Sequence, residues 1–235
     1  MNREDYLFAK RNLKAGKVIH IPGIGIDITK FKKVCENQKQ TERTQGHKCF
    51  CRKYRIPEDA ITLLSVGELN KGKNHKIAIA ALAALEREDV YYLICGQGSM
   101  RDQLQYYADS LGVGNFIRMP GYQENMQMVY RNADIFIFPS KREGMPVALM
   151  EAMAAGMPCI VSDVRGNREL IDRFGGVRFT LGQTKEVEKS LVQLLENPLL
   201  REQQGKYNQH KMKAYDWKIV RNRMKRIYKD YCLRG

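Results

Sequence analysis

The sequence predicts a single α/β domain built around one doubly wound parallel sheet. Short apolar runs alternate with helical stretches along most of the 235 residues, which is the pattern of repeated βαβ units. The runs at residues 61–66 and 133–138 are almost continuously apolar, as expected of strands that helices cover on both faces. A chain of this length is also long enough to bury one full core.

The predicted elements follow one another in a regular order. Strands are predicted at residues 18–21, 61–66, 91–95, 116–119, 134–138, 159–161 and 177–179. Helices are predicted at residues 76–85, 100–111, 126–131, 146–155, 168–171 and 186–195. The polar segment at residues 32–60 has no strand pattern before its end, and it predicts a loop with an amphipathic helix.

The helix predicted from Pro146 to Ala155 begins where a strand has just ended. Proline suits the first helical position, and Gly156 suits the position just past the helix end. The backbone N–H groups of Val147 and Ala148 then lie at the carboxyl end of a parallel strand. Open α/β sheets place phosphorylated ligands at such helix starts.

Glu151 is the one polar side chain in this predicted helix. A helix that is apolar on all sides is a buried one. Burying a carboxylate without a partner costs on the order of several kcal/mol. Two explanations remain open: a neighbouring backbone group or basic side chain satisfies Glu151, or a ligand does.

Composition and charge narrow the classes of partner. The net charge of +14 favours anionic partners, such as a nucleotide diphosphate or an anionic membrane surface. No nucleic-acid-binding motif is present, so we expect no nucleic-acid partner. No apolar stretch reaches the roughly 18 residues of a membrane span, and the start of the chain lacks a signal-peptide core. We expect a cytoplasmic protein, with peripheral contact at the inner face of the membrane as the alternative.

The cysteines predict reduced thiols. The chain has six, with no C-x-x-C spacing. Cys49 and Cys51, together with Cys35 and His47, are the only hint of a metal site, and their spacing fits no common structural zinc module. We therefore predict no metal.

Two glycine-rich turns follow predicted strands. In the turn Gly96-Gln97-Gly98, the next position of a dinucleotide fingerprint is Arg101 where a small residue is expected, so a dehydrogenase is a poor interpretation. This turn instead predicts a strand-to-helix connection that needs positive φ. The second turn covers residues 67–75 and carries two lysines.

An ordered set of motifs resembles retaining glycosyltransferases of family 4. Glu143 and Glu151, with seven residues between them, stand in the setting P-S-x-x-E-G-M-P-V-A-L-M-E-A-M-A-A-G-M-P. The further motifs are I-P-G-I-G-I-D from Ile21, L-L-S-V-G-E-L-N-K-G-K-N from Leu63, L-I-C-G-Q-G from Leu93, I-R-M-P-G-Y from Ile117 and S-D-V-R-G-N-R-E-L-I from Ser162. The resemblance covers nearly the whole chain. It implies a Rossmann-like domain, the C-terminal donor-binding half of a two-domain GT-B enzyme.

The resemblance implies that two glutamates and two loop residues bind the donor sugar and the ribose. Glu143, a catalytic position, would hydrogen-bond hydroxyl groups of the donor sugar. Glu151 would bind the ribose hydroxyls, which would satisfy its buried carboxylate. The backbone N–H groups of Gly144 and Met145 would also face the sugar.

The diphosphate is assigned to the second glycine-rich turn and to the helix start. Lys73 matches the lysine of the family's diphosphate-binding pair and is the second catalytic position. Its arginine partner falls on Glu68, a reversal of charge, so we expect Lys71 to supply the missing positive charge. Val147 and Ala148 would cap the diphosphate with their N–H groups.

The resemblance also implies the remaining chemistry. Gly121 and Tyr122, at a strand exit, would lie near the base. Basic groups and a helix dipole would stabilise the leaving diphosphate, with no cofactor and no metal. The acceptor would attack from the face that the diphosphate leaves, with the leaving phosphate helping to remove its proton.

The end of the chain predicts a separate element. Residues 1–214 are predicted to form the donor-binding domain, and residues 215–235 a basic amphipathic helix. Its apolar stripe consists of Trp217, Val220, Met224, Ile227 and Tyr231. In the resembled family this helix packs back toward the N-terminal domain; packing within the chain and contact with a membrane surface are the alternatives.

The function implied is half of an enzyme. Residues 1–6 resemble the family's inter-domain junction, and a GT-B enzyme needs an N-terminal acceptor-binding domain, in cis or as a separate chain. The expected reaction moves a sugar from a nucleoside-diphosphate sugar to a glycan or lipid-linked acceptor, in polysaccharide or cell-surface glycan biosynthesis. The alternative is a non-catalytic module that binds a nucleotide sugar or a protein partner.

Overall fold

The computed structural model describes residues 2–31 and 40–232, and a parallel sheet forms the centre of this part of the chain. The strands are β1 (Ile61–Val66), β2 (Val90–Cys95), β3 (Ile117–Gly121), β4 (Ile135–Phe138), β5 (Cys159–Ser162) and β6 (Gly176–Phe179). Their order is β3-β2-β1-β4-β5-β6, and every neighbouring pair runs parallel. The strands predicted from residue 61 onward are confirmed within a few residues at their ends.

Helices cover both faces of this sheet. They are α1 (Arg3–Asn12), α2 (Gln40–Tyr54), α3 (His75–Ala84), α4 (Arg101–Ser110), α5 (Met126–Asn132), α6 (Val147–Ala154), α7 (Arg165–Leu170), α8 (Thr184–Glu196), α9 (Pro198–Met212) and α10 (Trp217–Cys232). Because successive strand residues point to opposite faces, Leu64 and Phe136 join the core under α2, α5 and α6. Their neighbours Leu63 and Ile135 join the core under α3, α4 and α8. The doubly wound α/β prediction is confirmed.

The strand predicted at residues 18–21 is wrong. This segment belongs to no strand, and the following turn bends at Gly23 and Gly25, which have φ of 69° and 74°. Its nearest sheet-like pairing is a single bridge, in which the N–H of Ile26 donates to the Tyr215 carbonyl at 3.0 Å. An apolar run becomes a strand only where a second strand offers a free edge, and these residues meet none.

The helices differ from prediction mainly at the edges of the chain. Residues 40–54 form the helix expected in the polar segment, whereas residues 32–39 of that segment lie outside the described residues. The helix predicted at residues 146–155 is confirmed as α6, with Pro146 as its N-cap and Gly156 beyond its end at φ 77°. The helix predicted at residues 168–171 begins earlier, at Arg165. The sequence did not predict α1 or α9.

The apolar stripe of α10 is only partly covered. Val220 is buried and Trp217 is half-buried, whereas Tyr231 is 49% exposed. The Lys17 ammonium lies 5.5 Å from the centre of the Tyr231 ring, so the segment after α1 reaches the end of α10. Among the described residues, no helix combines the length and the apolar character needed to cross a membrane.

Candidate functional site

The loops that carry most of the predicted site residues follow β1 and β4. These two strands are neighbours at the point where the strand order reverses, with β2 and β3 on one side and β5 and β6 on the other. The backbone N–H of Lys141 donates to the carbonyl of Gly72 at 2.8 Å, so the two loops are joined directly. Open α/β sheets place their ligands in the crevice at such a point.

Distant parts of the chain fix the conformation of the loop after β4. The N–H of Gly166, in α7, donates to the Glu143 carbonyl at 3.2 Å. The side-chain amide of Asn2, which is fully buried, donates to the Gly144 carbonyl at 3.0 Å. A Cβ at position 166 would lie 2.6 Å from the Gly144 carbonyl oxygen, so this approach requires glycine. The loop is therefore held from outside as well as by its own backbone.

Lys73 and Glu143, the two predicted catalytic residues, are in contact. The Lys73 ammonium donates to Oε1 of Glu143 at 2.6 Å, although the residues are 70 positions apart. Their side chains are 26% and 12% exposed, so the pair lies at the mouth of the crevice with little solvent around it. The ammonium also lies 5.0 Å from the centre of the Phe138 ring. This arrangement brings one cation and one anion to the same point of the site.

The start of α6 lies next to this pair. Its N-cap, Pro146, forms no side-chain cap hydrogen bond, and the first N–H groups of a helix have no partner within it. Val147 and Ala148 therefore present donors at the positive end of the helix dipole. Met145, just before the cap, lies close to Gly23: a Cβ at Gly23 would lie 2.9 Å from Cγ of Met145. The helix start predicted at this position is present, and its role in binding an anion stays a prediction.

Tyr130 is the partner of Glu151. Its hydroxyl donates to Oε2 of Glu151 at 3.0 Å and lies 3.2 Å from the carbonyl oxygen of Ala148. Burial raises the pKa of the Glu151 carboxyl, and the hydrogen bond from Tyr130 partly opposes that rise. A tyrosine thus satisfies one oxygen of the buried carboxylate, where the sequence pointed to a backbone group, a basic side chain or a ligand.

Lys71 and Glu68 lie on the exposed side of the loop after β1. The carboxylate of Glu68 accepts from the Asn70 amide at 2.9 Å, and the side-chain oxygen of Asn70 accepts from the Lys73 N–H at 3.0 Å. Both Lys71 and Glu68 are exposed, whereas Lys73 points inward to Glu143. The loop therefore separates its two lysines.

Gly121 ends β3 and Tyr122 follows it, at the same carboxyl edge of the sheet and two strands away from β1. The Gly121 carbonyl accepts from the N–H of Gly96 at 3.0 Å, which joins this exit to the turn after β2. In that turn a Cβ at Gly96 would lie 1.9 Å from the Gly67 carbonyl oxygen. The Tyr122 side chain is 71% exposed, so its ring is open to solvent.

The cysteines gather no metal site in the described part of the chain. Free thiols there are Cys49, Cys51, Cys95 and Cys159. The Sγ of Cys51 lies 3.4 Å from Nε2 of His47, and Cys35 lies outside the described residues. Among residues 2–31 and 45–231, whose side chains the structure describes, no three metal-ligating side chains come together.

A separate cavity of about 640 Å³ lies along β3, at one edge of the sheet. Its lining residues are Lys53, Tyr54, Arg55, Arg101, Asp102, Gln105, Ile117, Arg118, Met119 and Pro120. The Arg118 guanidinium donates to the Tyr54 and Arg55 carbonyls at 3.0 and 2.8 Å, so it covers the end of α2. None of the predicted donor-binding residues lines this cavity.

Sequence reasoning missed three residues that shape the site. Asn2 and Gly166 hold the loop after β4, and Tyr130 holds Glu151. For Tyr130 a signal existed, because a buried tyrosine hydroxyl usually has a hydrogen-bond partner. Asn2 gave no local signal, and Gly166 stood in a quoted motif without an assigned role, since the partners of both are backbone carbonyls far along the chain.

The parallel sheet and this crevice define the C-terminal, donor-binding half of a GT-B fold. The sequence model of the family described as Glycosyl transferases group 1 matches residues 50–211, and the chain belongs to this family. It is 28% identical over 190 residues to the UDP-Gal:alpha-D-GlcNAc-diphosphoundecaprenol alpha-1,3-galactosyltransferase of Escherichia coli, covering 78% of this chain and 46% of that protein. The chain spans about half the length of the curated relatives it matches first.

A second relative and a solved structure agree with this assignment. The chain is 32% identical over 169 residues to the N-acetylgalactosamine-N,N'-diacetylbacillosaminyl-diphospho-undecaprenol 4-alpha-N-acetylgalactosaminyltransferase of Campylobacter jejuni, covering 69% of this chain and 45% of that protein. Sucrose-phosphate synthase from Thermosynechococcus elongatus has the same fold, with a TM-score of 0.85 and 19% identity over all of this chain and 58% of that one. The GT-B prediction is confirmed.

Proposed function

We propose that this chain is the donor-binding half of a retaining glycosyltransferase that uses a nucleoside-diphosphate sugar. The observation that carries the proposal is the contact between Lys73 and Glu143 beside the start of α6. A diphosphate needs positive charge and N–H donors, and a sugar needs a hydrogen-bond acceptor. The crevice offers all of these within one small region.

The diphosphate is assigned to Lys73 and to the N–H groups of Val147 and Ala148. As the bond between sugar and phosphate breaks, negative charge builds up on the leaving diphosphate. The Lys73 ammonium and the positive end of a helix dipole stabilise that charge. In this proposal no metal is invoked, because Lys73 and the N–H groups of the helix start stabilise the leaving group. Lys71, on the exposed side of the loop, adds positive potential rather than a fixed contact.

The sugar and the nucleoside are assigned to groups on either side of the diphosphate. Glu143 accepts hydrogen bonds from sugar hydroxyls, and the N–H groups of Gly144 and Met145 face the same space. Glu151 accepts from the ribose hydroxyls, while Tyr130 holds its carboxylate from behind. The base lies toward Tyr122, whose ring is exposed at the end of β3.

The reaction proposed is transfer with retention of the anomeric configuration. The acceptor attacks the anomeric carbon from the face that the diphosphate leaves, and the leaving phosphate takes the acceptor's proton. In this scheme the chain supplies no covalent nucleophile. Its contribution is to orient the donor and stabilise the leaving charge.

The acceptor is proposed to be a glycan or a lipid-linked glycan. Support comes from the two relatives above, whose names specify diphosphoundecaprenol-linked acceptors. An N-terminal acceptor-binding domain, in cis or as a separate chain, would form the other wall of the cleft. The alternative function, a non-catalytic binding module, is favoured by the exposed apolar side chains of the outer helices, such as Phe8 at 66% and Ile219 at 53%.

A thermal-shift panel tests the proposed donor class. The full chain is melted with UDP, GDP, ADP and the glucose conjugate of each, once in EDTA and once in magnesium. A ligand that binds only the folded state raises the melting temperature by mass action. We expect one base to be selected and its effect to survive EDTA. No shift with any of the six ligands would contradict the proposal.

A further inference from the structure

The two catalytic positions neutralise each other before any donor binds. The ammonium of Lys73 lies 2.6 Å from Oε1 of Glu143, and both side chains are mostly buried. Each comes from a loop that the fold holds in place, through the Gly72–Lys141 and Gly166–Glu143 hydrogen bonds. Any diphosphate that uses Lys73 must therefore approach a carboxylate at the same time.

A bare nucleoside diphosphate and its sugar conjugate differ in charge at this point. The terminal phosphate of the bare compound is a monoester, and the second pKa of a phosphate monoester is about 6. At neutral pH it therefore carries roughly one more negative charge than the conjugate, in which the sugar esterifies that phosphate. The extra charge sits where the sugar would otherwise begin, which is the side that faces Glu143.

Glu143 consequently meets two different neighbours. With the bare diphosphate bound, its carboxylate faces an additional anion at close range, and like charges at such distances repel strongly in a partly buried site. With the conjugate bound, sugar hydroxyls donate to the carboxylate and replace the Lys73 ammonium that the phosphate has taken. Only when the conjugate binds is the Lys73–Glu143 ion pair replaced by two new pairs, one between Lys73 and the phosphate and one between Glu143 and the sugar hydroxyls.

We infer that Glu143 makes the site select the nucleotide sugar over the bare nucleoside diphosphate, and so favours release of the product after transfer. This inference rests on the proposed function. It implies that Glu143 weakens binding of the bare nucleoside diphosphate, an effect that contact with the sugar alone would not produce. A residue that only touched the sugar would leave the affinity for the bare diphosphate unchanged.

Calorimetric titration of Glu143→Gln with the selected diphosphate and its glucose conjugate tests this inference. The amide keeps the shape and still accepts from sugar hydroxyls, but it removes the charge. We expect the affinity for the bare diphosphate to rise about threefold or more and the affinity for the conjugate to fall, so that their ratio changes about tenfold. Unchanged or weaker binding of the bare diphosphate would overturn the inference.

Two further variants separate charge from shape. Glu143→Asp keeps the charge, and we expect it to bind the bare diphosphate no more tightly than the wild type. Glu88 is an exposed carboxylate just before β2, at the amino ends of the strands and therefore opposite the crevice. Glu88→Gln removes one charge from the chain and should leave the ratio of the two affinities unchanged. Equal gains in Glu88→Gln and Glu143→Gln would overturn the inference by showing a net-charge effect. No binding of any nucleotide would overturn the proposed function as well.

Discussion

The crevice at the carboxyl edge of the sheet differs in its side-chain chemistry from the outer helices α1 and α10. In the crevice, polar groups are paired across long stretches of chain, as in Lys73–Glu143 and Tyr130–Glu151. On the outer helices, large apolar side chains are open to solvent. The chain thus pairs several polar groups of its crevice with its own residues, whereas its outer apolar surface has room for another partner.

This contrast predicts where substitutions act. Changes in the crevice should alter ligand binding, because its groups are fixed in space and aimed at one region. Changes on the outer helices should alter association, because nothing in the described chain covers those side chains.

The largest effect is expected at Lys73. Lys73→Met removes the ammonium assigned to the diphosphate, a charge-assisted contact worth about 1.5–3 kcal/mol, or roughly 10- to 150-fold in affinity. Titration with the selected diphosphate measures it. Lys71→Met is the matched comparison, since Lys71 is exposed on the same loop, and we expect at most about a twofold loss by the usual worth of exposed charges. Equal losses in the two variants would contradict the assignment of Lys73.

Glu151→Gln is expected to weaken nucleotide binding by about 1–3 kcal/mol, the scale of a lost charge-assisted hydrogen bond. The stability of Glu151→Gln should instead exceed that of the wild type at neutral pH. Burial raises the pKa of Glu151 above the usual 4.5, so the folded wild type loses stability as the pH rises from that value through the raised pKa. The variant lacks this loss because its amide does not ionise, and the amide oxygen can still accept from Tyr130.

The measurement for Glu151 is the melting temperature at several pH values. The advantage of Glu151→Gln over the wild type should be largest at neutral pH and shrink toward pH 4. An advantage that does not change with pH would show that the carboxylate is not penalised by burial. Unchanged nucleotide affinity would make Glu151 a purely structural residue.

Gly166→Ala tests the close packing of Gly166 against the loop after β4. The added methyl would lie 2.6 Å from the Gly144 carbonyl oxygen and 2.7 Å from the Glu143 carbonyl oxygen, so the loop must move. Overpacking of this kind costs about 1–3 kcal/mol in unfolding free energy. Gly16→Ala is the control, because nothing lies within 4 Å of a Cβ there. Denaturant unfolding should give a lower unfolding free energy for Gly166→Ala than for Gly16→Ala. Equal stability of the two variants would contradict tight packing of Gly166 against this loop.

The smallest change in stability is expected on the outer helices. Phe8→Ser together with Ile219→Ser should alter the unfolding free energy by no more than about 0.5 kcal/mol per site. The same variant should reduce self-association of the chain, because exposed apolar patches promote contact between copies. Sedimentation velocity measures the association. Leu149→Ala, at a fully buried position, should instead destabilise the fold by about 2–5 kcal/mol.

The sequence predicted the centre of this molecule better than its edges. The strand and helix around Phe138 and Pro146 carry strong local signals: a continuous apolar run, a proline at the helix start and a glycine past its end. Helix α9 was missed although Asn197 caps it and Pro198 begins it, because its polar residues give little apolar periodicity. Residues 18–21 were wrongly predicted as a strand, since an apolar run does not reveal whether a neighbouring strand exists.

The candidate site was predictable where a motif fixed the residue, and unpredictable where the partner was remote. Lys73 and Glu143 follow from motifs on two strands whose ends meet at one edge. Their direct contact depends on strand order, which no local pattern encodes. Asn2 reaches Gly144 only because α1 docks against α7, where Asp5 pairs with Arg165 at 2.6 Å.

A structure of the chain bound to its selected nucleotide sugar tests whether the crevice between the loops after β1 and β4 binds the donor. We expect the diphosphate to lie between the Lys73 ammonium and the N–H groups of Val147 and Ala148, with the sugar against Glu143 and the Lys73–Glu143 contact lengthened. A ligand that lies elsewhere, such as in the cavity along β3, with Lys73 and Glu143 still paired at 2.6 Å, would contradict it.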